Sequence, residues 1–122
     1  MIDHININVR DFDASRAFYV QALKPLGVEV IMEFGRMAGM GNAGKPDLWI
    51  SERGEPSGPS HIALAAPDRA TVDAFYEAAI AAGGTDNGAP GPRPQYHENY
   101  YGAFVLDPDG NNLEAVCHRP PE

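Results

Sequence analysis

The sequence repeats itself after 57 residues, and this repeat limits the folds open to it. Aligned at that offset, residues 4–27 share eight identities with residues 61–84, where about one or two are expected by chance. The identical pairs are His4/His61, Ile5/Ile62, Asp11/Asp68, Ala17/Ala74, Phe18/Phe75, Tyr19/Tyr76, Ala22/Ala79 and Gly27/Gly84. Each copy starts with alternating residues and continues with helical spacing, so the repeat predicts two similar βα modules.

Each copy contains one amphipathic helix. In the second copy Asp68 can cap a helix that Gly83 and Gly84 end. Its apolar positions recur at the spacing i, i+3, i+4, i+7 and i+8: Val72, Phe75, Tyr76, Ala79 and Ile80. In the first copy we expect Asp11 or Asp13 as the cap and an end near residues 25–27.

Short strand-like segments separated by glycine and proline follow each helix. They cover about 28–34, 36–41 and 47–52 in the first copy and about 84–89, 100–107 and 112–118 in the second. The order is therefore βαβββ twice, which predicts one α+β domain over residues 1–122 with modules of about 1–56 and 57–122. We expect a linker at 54–59 and an irregular loop at 90–94.

Length and charge exclude several classes of protein. A chain of 122 residues fits one domain, and no apolar run approaches the roughly 20 residues that cross a bilayer. With 9 basic against 17 acidic residues, the net charge of -8 repels nucleic acid and anionic lipid. The single Cys117 is expected to be a packing residue. We expect a soluble cytoplasmic protein without nucleic-acid or membrane partners.

Polar and small side chains share one face of the first strand in each copy. Alternation places His4, Asn6 and Asn8 on one face of the first strand, with isoleucine and valine on the other. In the repeat strand His61 shares its face with two alanines, which leave room instead of filling a core. Polar and small side chains together indicate a cavity.

The last hairpin places a carboxylate on the polar face of a strand. Glu114 lies between Leu113 and Ala115, where a carboxylate is costly to bury unless it is paired, hydrogen-bonded or bound to a metal. Two imidazoles and a carboxylate from three strands can hold a divalent metal and leave coordination positions open. A single histidine is more often a satisfied buried side chain, and a single glutamate often faces solvent. The matched positions of His4 and His61 favour the metal site.

Three segments of the sequence, "IDHININV", "SHIALAA" and "FVLDPDGNNLEAV", resemble the vicinal oxygen chelate superfamily in order and spacing over essentially the whole chain. This superfamily contains glyoxalases, bleomycin-resistance proteins and extradiol dioxygenases. The resemblance implies two paired βαβββ modules that form a half-barrel cleft, and usually a homodimer. It also implies one divalent metal ion (Fe, Mn, Ni, Co or Zn) on His4, His61 and Glu114, which we expect to converge.

The sequence departs from the four-ligand pattern of glyoxalase I. Trp49 stands where that pattern has its fourth ligand, and the nearby Glu52 should point away by alternation. Three ligands are typical of extradiol dioxygenases and of metal-dependent fosfomycin-resistance enzymes. The tyrosine of small extradiol enzymes is replaced by Phe104, with Tyr100 and Tyr101 close by, and the basic residues are too scattered for a phosphonate pocket.

The segment 93–101 concentrates titratable and aromatic residues just before the last hairpin. We predict His97 and Tyr101 as catalytic residues in acid–base work or substrate orientation; the alternative for His97 is a solvated surface position. Arg93 and Tyr96 are predicted to bind substrate. Trp49 is predicted as an aromatic wall of the cleft, or else as a core residue.

Together these patterns favour a metal-dependent lyase or dioxygenase that acts on a small oxygen-chelating substrate, more dioxygenase-like or transferase-like than glyoxalase I. The metal would act there as a Lewis acid. The alternative is a metal-free binding protein of the bleomycin-resistance type that sequesters a small molecule.

Overall fold

Each half of the chain folds into one helix and four strands. The computed structural model describes residues 1–121. The first half contains β1 (Ile5–Asn8), α1 (Phe12–Leu23), β2 (Glu29–Phe34), β3 (Met37–Gly41) and β4 (Leu48–Ser51), with a 3₁₀ turn at Lys24–Leu26. The second half contains β5 (His61–Ala65), α2 (Arg69–Ala81), β6 (Thr85–Pro92), β7 (Tyr101–Leu106) and β8 (Asn112–Cys117). The predicted βαβββ order is confirmed in both halves.

Two mixed four-stranded sheets follow from this order. The first has the strand order β1-β4-β3-β2 and the second β5-β8-β7-β6. In each sheet the first and last strands of the module are parallel neighbours, and the remaining pairs are antiparallel. The two helices pack against each other and join the halves. The predicted α+β fold class, with two paired βαβββ modules, is confirmed.

Both helices begin at an aspartate, as the repeat predicts. Asp11, not Asp13, caps α1 by accepting from the Ala14 N–H at 3.2 Å. Asp68 caps α2 by accepting from the N–H and hydroxyl of Thr71, and these hydrogen bonds hold the pKa of the Asp68 carboxyl below its usual value. Because each side chain satisfies a free N–H of the first turn, the starting points of both helices are fixed locally.

The segment 90–94 differs from the predicted irregular loop, because β6 continues as a strand to Pro92. Its pairing with β7 shifts register twice, between Asp86 and Gly88 and between Gly88 and Gly91. β6 lies at the edge of its sheet, where one side of the strand has no neighbour. A proline, which has no backbone N–H to donate, is tolerated on that side. The edge position and the bulges therefore allow a strand that contains prolines, although the prolines and glycines of this segment by themselves predict a loop.

The core lies between the helices and one face of each sheet, so the opposite sheet faces stay open. Ile7, Ile50, Val105 and Leu113 are among the fully buried side chains that contact this core. On the opposite face of β5 the side chain of His61 is 55% exposed. Among the described residues, no helix is both long and apolar enough to cross a membrane.

One buried hydrogen bond links α1 of the first half to the turn of the last hairpin. Tyr19 is fully buried and donates its hydroxyl to Asp107 at 2.5 Å. Burial first, and the Asp107 charge second, raise the pKa of Tyr19 well above its usual value, so the hydroxyl stays protonated. Asp107 also accepts from the backbone N–H groups of Asp109 and Asn111 and thereby organises the turn.

We predict that Tyr19→Phe lowers the free energy of unfolding by about 1.5–3 kcal/mol, since it removes a buried donor to a carboxylate. Tyr76 is the matched control, because it occupies the same position in the repeat and donates to Asp86 at 3.0 Å in an exposed setting. Tyr76→Phe should change stability by less than about 0.5 kcal/mol. Urea unfolding of both variants checks this; equal effects would contradict it.

Candidate functional site

A buried carboxylate and a histidine pair at the open face of the second sheet. Glu114 in β8 is 1% exposed, and its Oε1 lies 2.7 Å from Nε2 of His61 in β5. The parallel register sets Ala63 directly beside Glu114, so the strand pairing brings the His61 ring to the carboxylate. A buried carboxylate requires such partners, because removal from water penalises its charge.

Tyr100 is the second partner of this carboxylate. Its hydroxyl donates to Oε2 of Glu114, the oxygen that His61 does not contact. Burial, followed by this hydrogen bond, raises the pKa of Tyr100 to about 12, so the phenol is a neutral donor at physiological pH. Gly102 leaves room for the contact, since a Cβ there would lie 3.2 Å from the Tyr100 ring and 3.3 Å from Oε2.

The pair lines an open cleft of about 820 Å³ on the second sheet. The walls come from β5, β6, β7, β8 and the segment between β6 and β7. The lining residues are His61, Asn87, Gly88, Arg93, Tyr96, Tyr100, Phe104, Asn112 and Glu114. This volume suits a small organic molecule.

His4 lies in the other sheet region and does not join the pair. It precedes β1, its side chain is 57% exposed, and its Nδ1 lies 2.7 Å from Asp3. Within residues 1–121 of one chain, no group of three or more His, Cys, Asp or Glu side chains is placed to hold a metal ion. The expected convergence of His4, His61 and Glu114 is therefore not achieved within a single chain, because the helices separate the two open sheet faces.

Trp49 occupies the position in the first sheet that Glu114 occupies in the second. Trp49 pairs with Asn6 as Glu114 pairs with Ala63. Asn6 and Ala63 occupy matching positions of the 57-residue repeat. Its ring stacks on Phe34 with centroids 6.2 Å apart and planes 7° apart. A Cβ on Gly39 would lie 2.7 Å from the indole, so glycine is needed beneath the ring. Trp49 is thus part of an aromatic surface on the first sheet, apart from the cleft.

The predicted substrate and catalytic residues of segment 93–101 separate into two groups. Arg93 and Tyr96 line the cleft, and Tyr96 packs edge-on against Tyr100. His97 and Tyr101 do not line it. His97 contacts the Glu98 carbonyl through Nδ1 at 2.6 Å, and Tyr101 donates to Asp73 of α2 at 2.7 Å on the helix side of β7.

Sequence reasoning passed over Tyr100, although the signal was present. Residues 100, 102 and 104 share one face by alternation, and Phe104 pairs directly with Glu114. Because Tyr100 is an even number of residues from Phe104, alternation places Tyr100 on the face of the sheet that carries Glu114. It places Tyr101 on the opposite face, toward the helix. Glu52, expected to point away from the cleft, indeed accepts from the Phe12 N–H at the start of α1.

Comparison with known proteins identifies relatives over nearly the whole chain. A family model described as the Glyoxalase/Bleomycin resistance protein/Dioxygenase superfamily matches residues 1–115. A glyoxalase/bleomycin resistance protein from Albidiferax ferrireducens T118 is 28% identical, with a TM-score of 0.81 over 97% of this chain and 98% of that one. A glyoxalase/bleomycin resistance protein/dioxygenase family enzyme from Burkholderia phytofirmans PsJN is 26% identical, with a TM-score of 0.72 over the same shares.

The fold extends to more distant proteins. A lactoylglutathione lyase from Agrobacterium tumefaciens shares 20% identity and a TM-score of 0.70 over 96% of this chain and 92% of its own, which shows the fold alone. No curated protein matches the chain. The family model leaves out only residues 116–122, which are the end of β8 and the residues after it. The chain belongs to the glyoxalase/bleomycin resistance protein/dioxygenase superfamily.

Proposed function

We propose that this protein is a metal-dependent enzyme that acts on a small substrate through the oxygen atoms that chelate the metal, with lyase or dioxygenase chemistry. The observation that carries the proposal is the buried Glu114 carboxylate beside His61 in an open cleft. Imidazole nitrogen and carboxylate oxygen together suit Fe, Mn, Ni, Co or Zn. One chain supplies two such ligands, which fit the metal but do not complete a three-ligand site.

A second copy of the chain would supply the third ligand. His4 is exposed and lies at the end of an open sheet face, so it is accessible to another molecule. That face also exposes Phe34, which is 56% accessible, next to Trp49. Pairing the first sheet of one chain with the second sheet of another would cover both open faces. Trp49 of the second copy would then become the aromatic wall of the cleft.

Other residues of the cleft would position the metal ligand and the substrate. A metal ion held there would supply a Lewis acid for the substrate oxygens. Tyr100 keeps its proton and fixes the Glu114 carboxylate, so the carboxylate does not rotate away from His61. Arg93 and Tyr96 contact the substrate from the segment between β6 and β7. Among the described lining residues Tyr100 is the neutral donor that contacts Glu114, and we assign it the role of positioning this carboxylate.

A metal-free binding protein is the second candidate, and one observation favours it. Both oxygens of Glu114 have protein partners within one chain, His61 and Tyr100, so the carboxylate is satisfied without a metal. Protein purified without added metal separates the two functions. About one equivalent of metal per chain supports the enzyme; no metal, together with tight ligand binding, supports the binding protein.

We predict that Glu114→Gln weakens metal binding at least about 100-fold while the metal-free protein unfolds within about 1 kcal/mol of the parent. The amide keeps one oxygen for Tyr100 and offers an N–H to His61, so the contacts survive while the charge does not. Glu114→Ala is the contrasting variant, because it leaves the Tyr100 hydroxyl without its acceptor. Metal stoichiometry by elemental analysis and urea unfolding check both; a Gln variant that retains parental metal affinity contradicts the ligand assignment.

A mixing experiment tests the shared site. His4→Ala and Glu114→Gln should each weaken metal binding strongly, whereas His97→Ala should not. Unfolded together and refolded as an equal mixture, the two defective variants should regain about a quarter of the parental metal content, because each mixed dimer contains one intact site. No recovery in a mixture that forms dimers would show that His4 does not act across subunits.

The same arrangement requires a homodimer. We predict that light scattering at micromolar concentration gives twice the mass of one chain. Phe34→Lys should shift the protein toward the monomer, since it places a charge on the face to be covered. Ile80→Lys is the control, because Ile80 is also exposed but lies on α2. A parent protein that remains monomeric at this concentration would contradict the dimer.

A further inference from the structure

Arg93 is the positive charge of the cleft, and it is held in place by the backbone. Its Nη1 donates to the Gly91 carbonyl at 2.8 Å and its Nη2 to the Ala89 carbonyl at 2.8 Å. The guanidinium also lies over the Phe104 ring, 5.4 Å from its centroid. Glycines at 88 and 91 permit this, since a Cβ there would lie 3.3 Å and 3.1 Å from its terminal nitrogens. The charge is therefore oriented before any ligand arrives.

The guanidinium retains a free edge. Its hydrogen bonds use Nη1 and one hydrogen of Nη2, so Nε–H and the second Nη2 hydrogen have no acceptor among the described residues. Nε and Nη2 lie along one edge of the planar group, and a carboxylate on such an edge accepts two parallel hydrogen bonds. Within residues 1–121 no carboxylate lies within 4.0 Å of Arg93.

The spacing of the cleft limits the size of a ligand that reaches both ends. Both chemical groups lie close to Phe104: the Arg93 guanidinium is 5.4 Å from the Phe104 ring centroid, and the His61 ring centroid is 6.2 Å from it. Phe104 also pairs with Glu114 across the strands. A ligand about as long as one substituted ring can therefore contact Arg93 and the His61–Glu114 pair together.

We propose that the substrate is a small carboxylate whose anionic group binds the free edge of Arg93 while its remaining oxygens face His61 and Glu114. A monoanion fits better than a dianion such as a phosphonate, because Arg93 is the only Lys or Arg among the lining residues and the chain carries a net charge of -8. This inference rests on the proposed function in taking the cleft as the substrate site. It adds the class of substrate.

The test compares two probes of nearly the same shape, 3,4-dihydroxybenzoate and 3,4-dihydroxybenzamide, which carry an anionic carboxylate and a neutral amide at the same position. Calorimetric titration is carried out on metal-free protein and on protein loaded with Zn²⁺, which does not support oxidative turnover. The parent protein should bind the carboxylate at least about tenfold more tightly than the amide. Arg93→Gln should lose this preference and keep its affinity for the amide, and Arg93→Lys should retain part of the preference.

Arg53→Gln is the matched control, because Arg53 does not line the cleft. It should leave the preference unchanged. Equal binding of the two probes to the parent, or failure to bind either, overturns the proposal, as does a preference that persists in Arg93→Gln. A carboxylate preference in protein that takes up no metal supports the carboxylate site and rejects the metal enzyme. Metal uptake without a preference for the carboxylate probe supports the metal enzyme and rejects the carboxylate site.

Discussion

The parallel pairing of the first and last strands in each module is the constraint on which the remaining structure depends. Parallel neighbours cannot be joined by a tight turn, so the chain must cross over, and each module does so with its helix and two further strands. The pairing sets residues far apart in sequence side by side. Ala63 lies beside Glu114 in one sheet, and Asn6 lies beside Trp49 in the other.

The two modules place different chemistry in this same geometry. In the second sheet the position beside the first strand carries a buried carboxylate, and the neighbouring small residues, Ala63 and Gly102, leave space around it. In the first sheet the position carries an indole stacked on Phe34. One module therefore presents charge and the other an aromatic surface. A cleft built from both would combine a polar wall with an apolar one, as small-molecule sites commonly do.

The sequence predicts the features that depend on local periodicity. The offset of the repeat and the alternation within strands suffice for the βαβββ order of elements, the helix cap at Asp68 and the polar-face positions of His61 and Glu114. They leave the cap of α1 open between Asp11 and Asp13, and the structure has Asp11 there. Two features lie beyond such patterns. The strand through Pro92 depends on its edge position, and the separation of His4 from Glu114 depends on how the helices pack between the sheets. Neither edge position nor packing between modules leaves a periodic signal.

Tyr100 helps to explain how the Glu114 carboxyl group can be buried in the cleft, because it is the second hydrogen-bond partner of that group beside His61. Burial penalises an ionised phenol, and the hydrogen bond to Glu114 also favours the neutral phenol, so Tyr100 keeps its proton. The pKa of Tyr100 is accordingly raised to about 12, with burial as the larger cause. Tyr100 therefore donates a hydrogen bond to Glu114 without supplying a positive charge. Oε1 of Glu114 faces His61 at the open cleft, while the neutral donor on Oε2 fixes the direction in which the carboxyl group points.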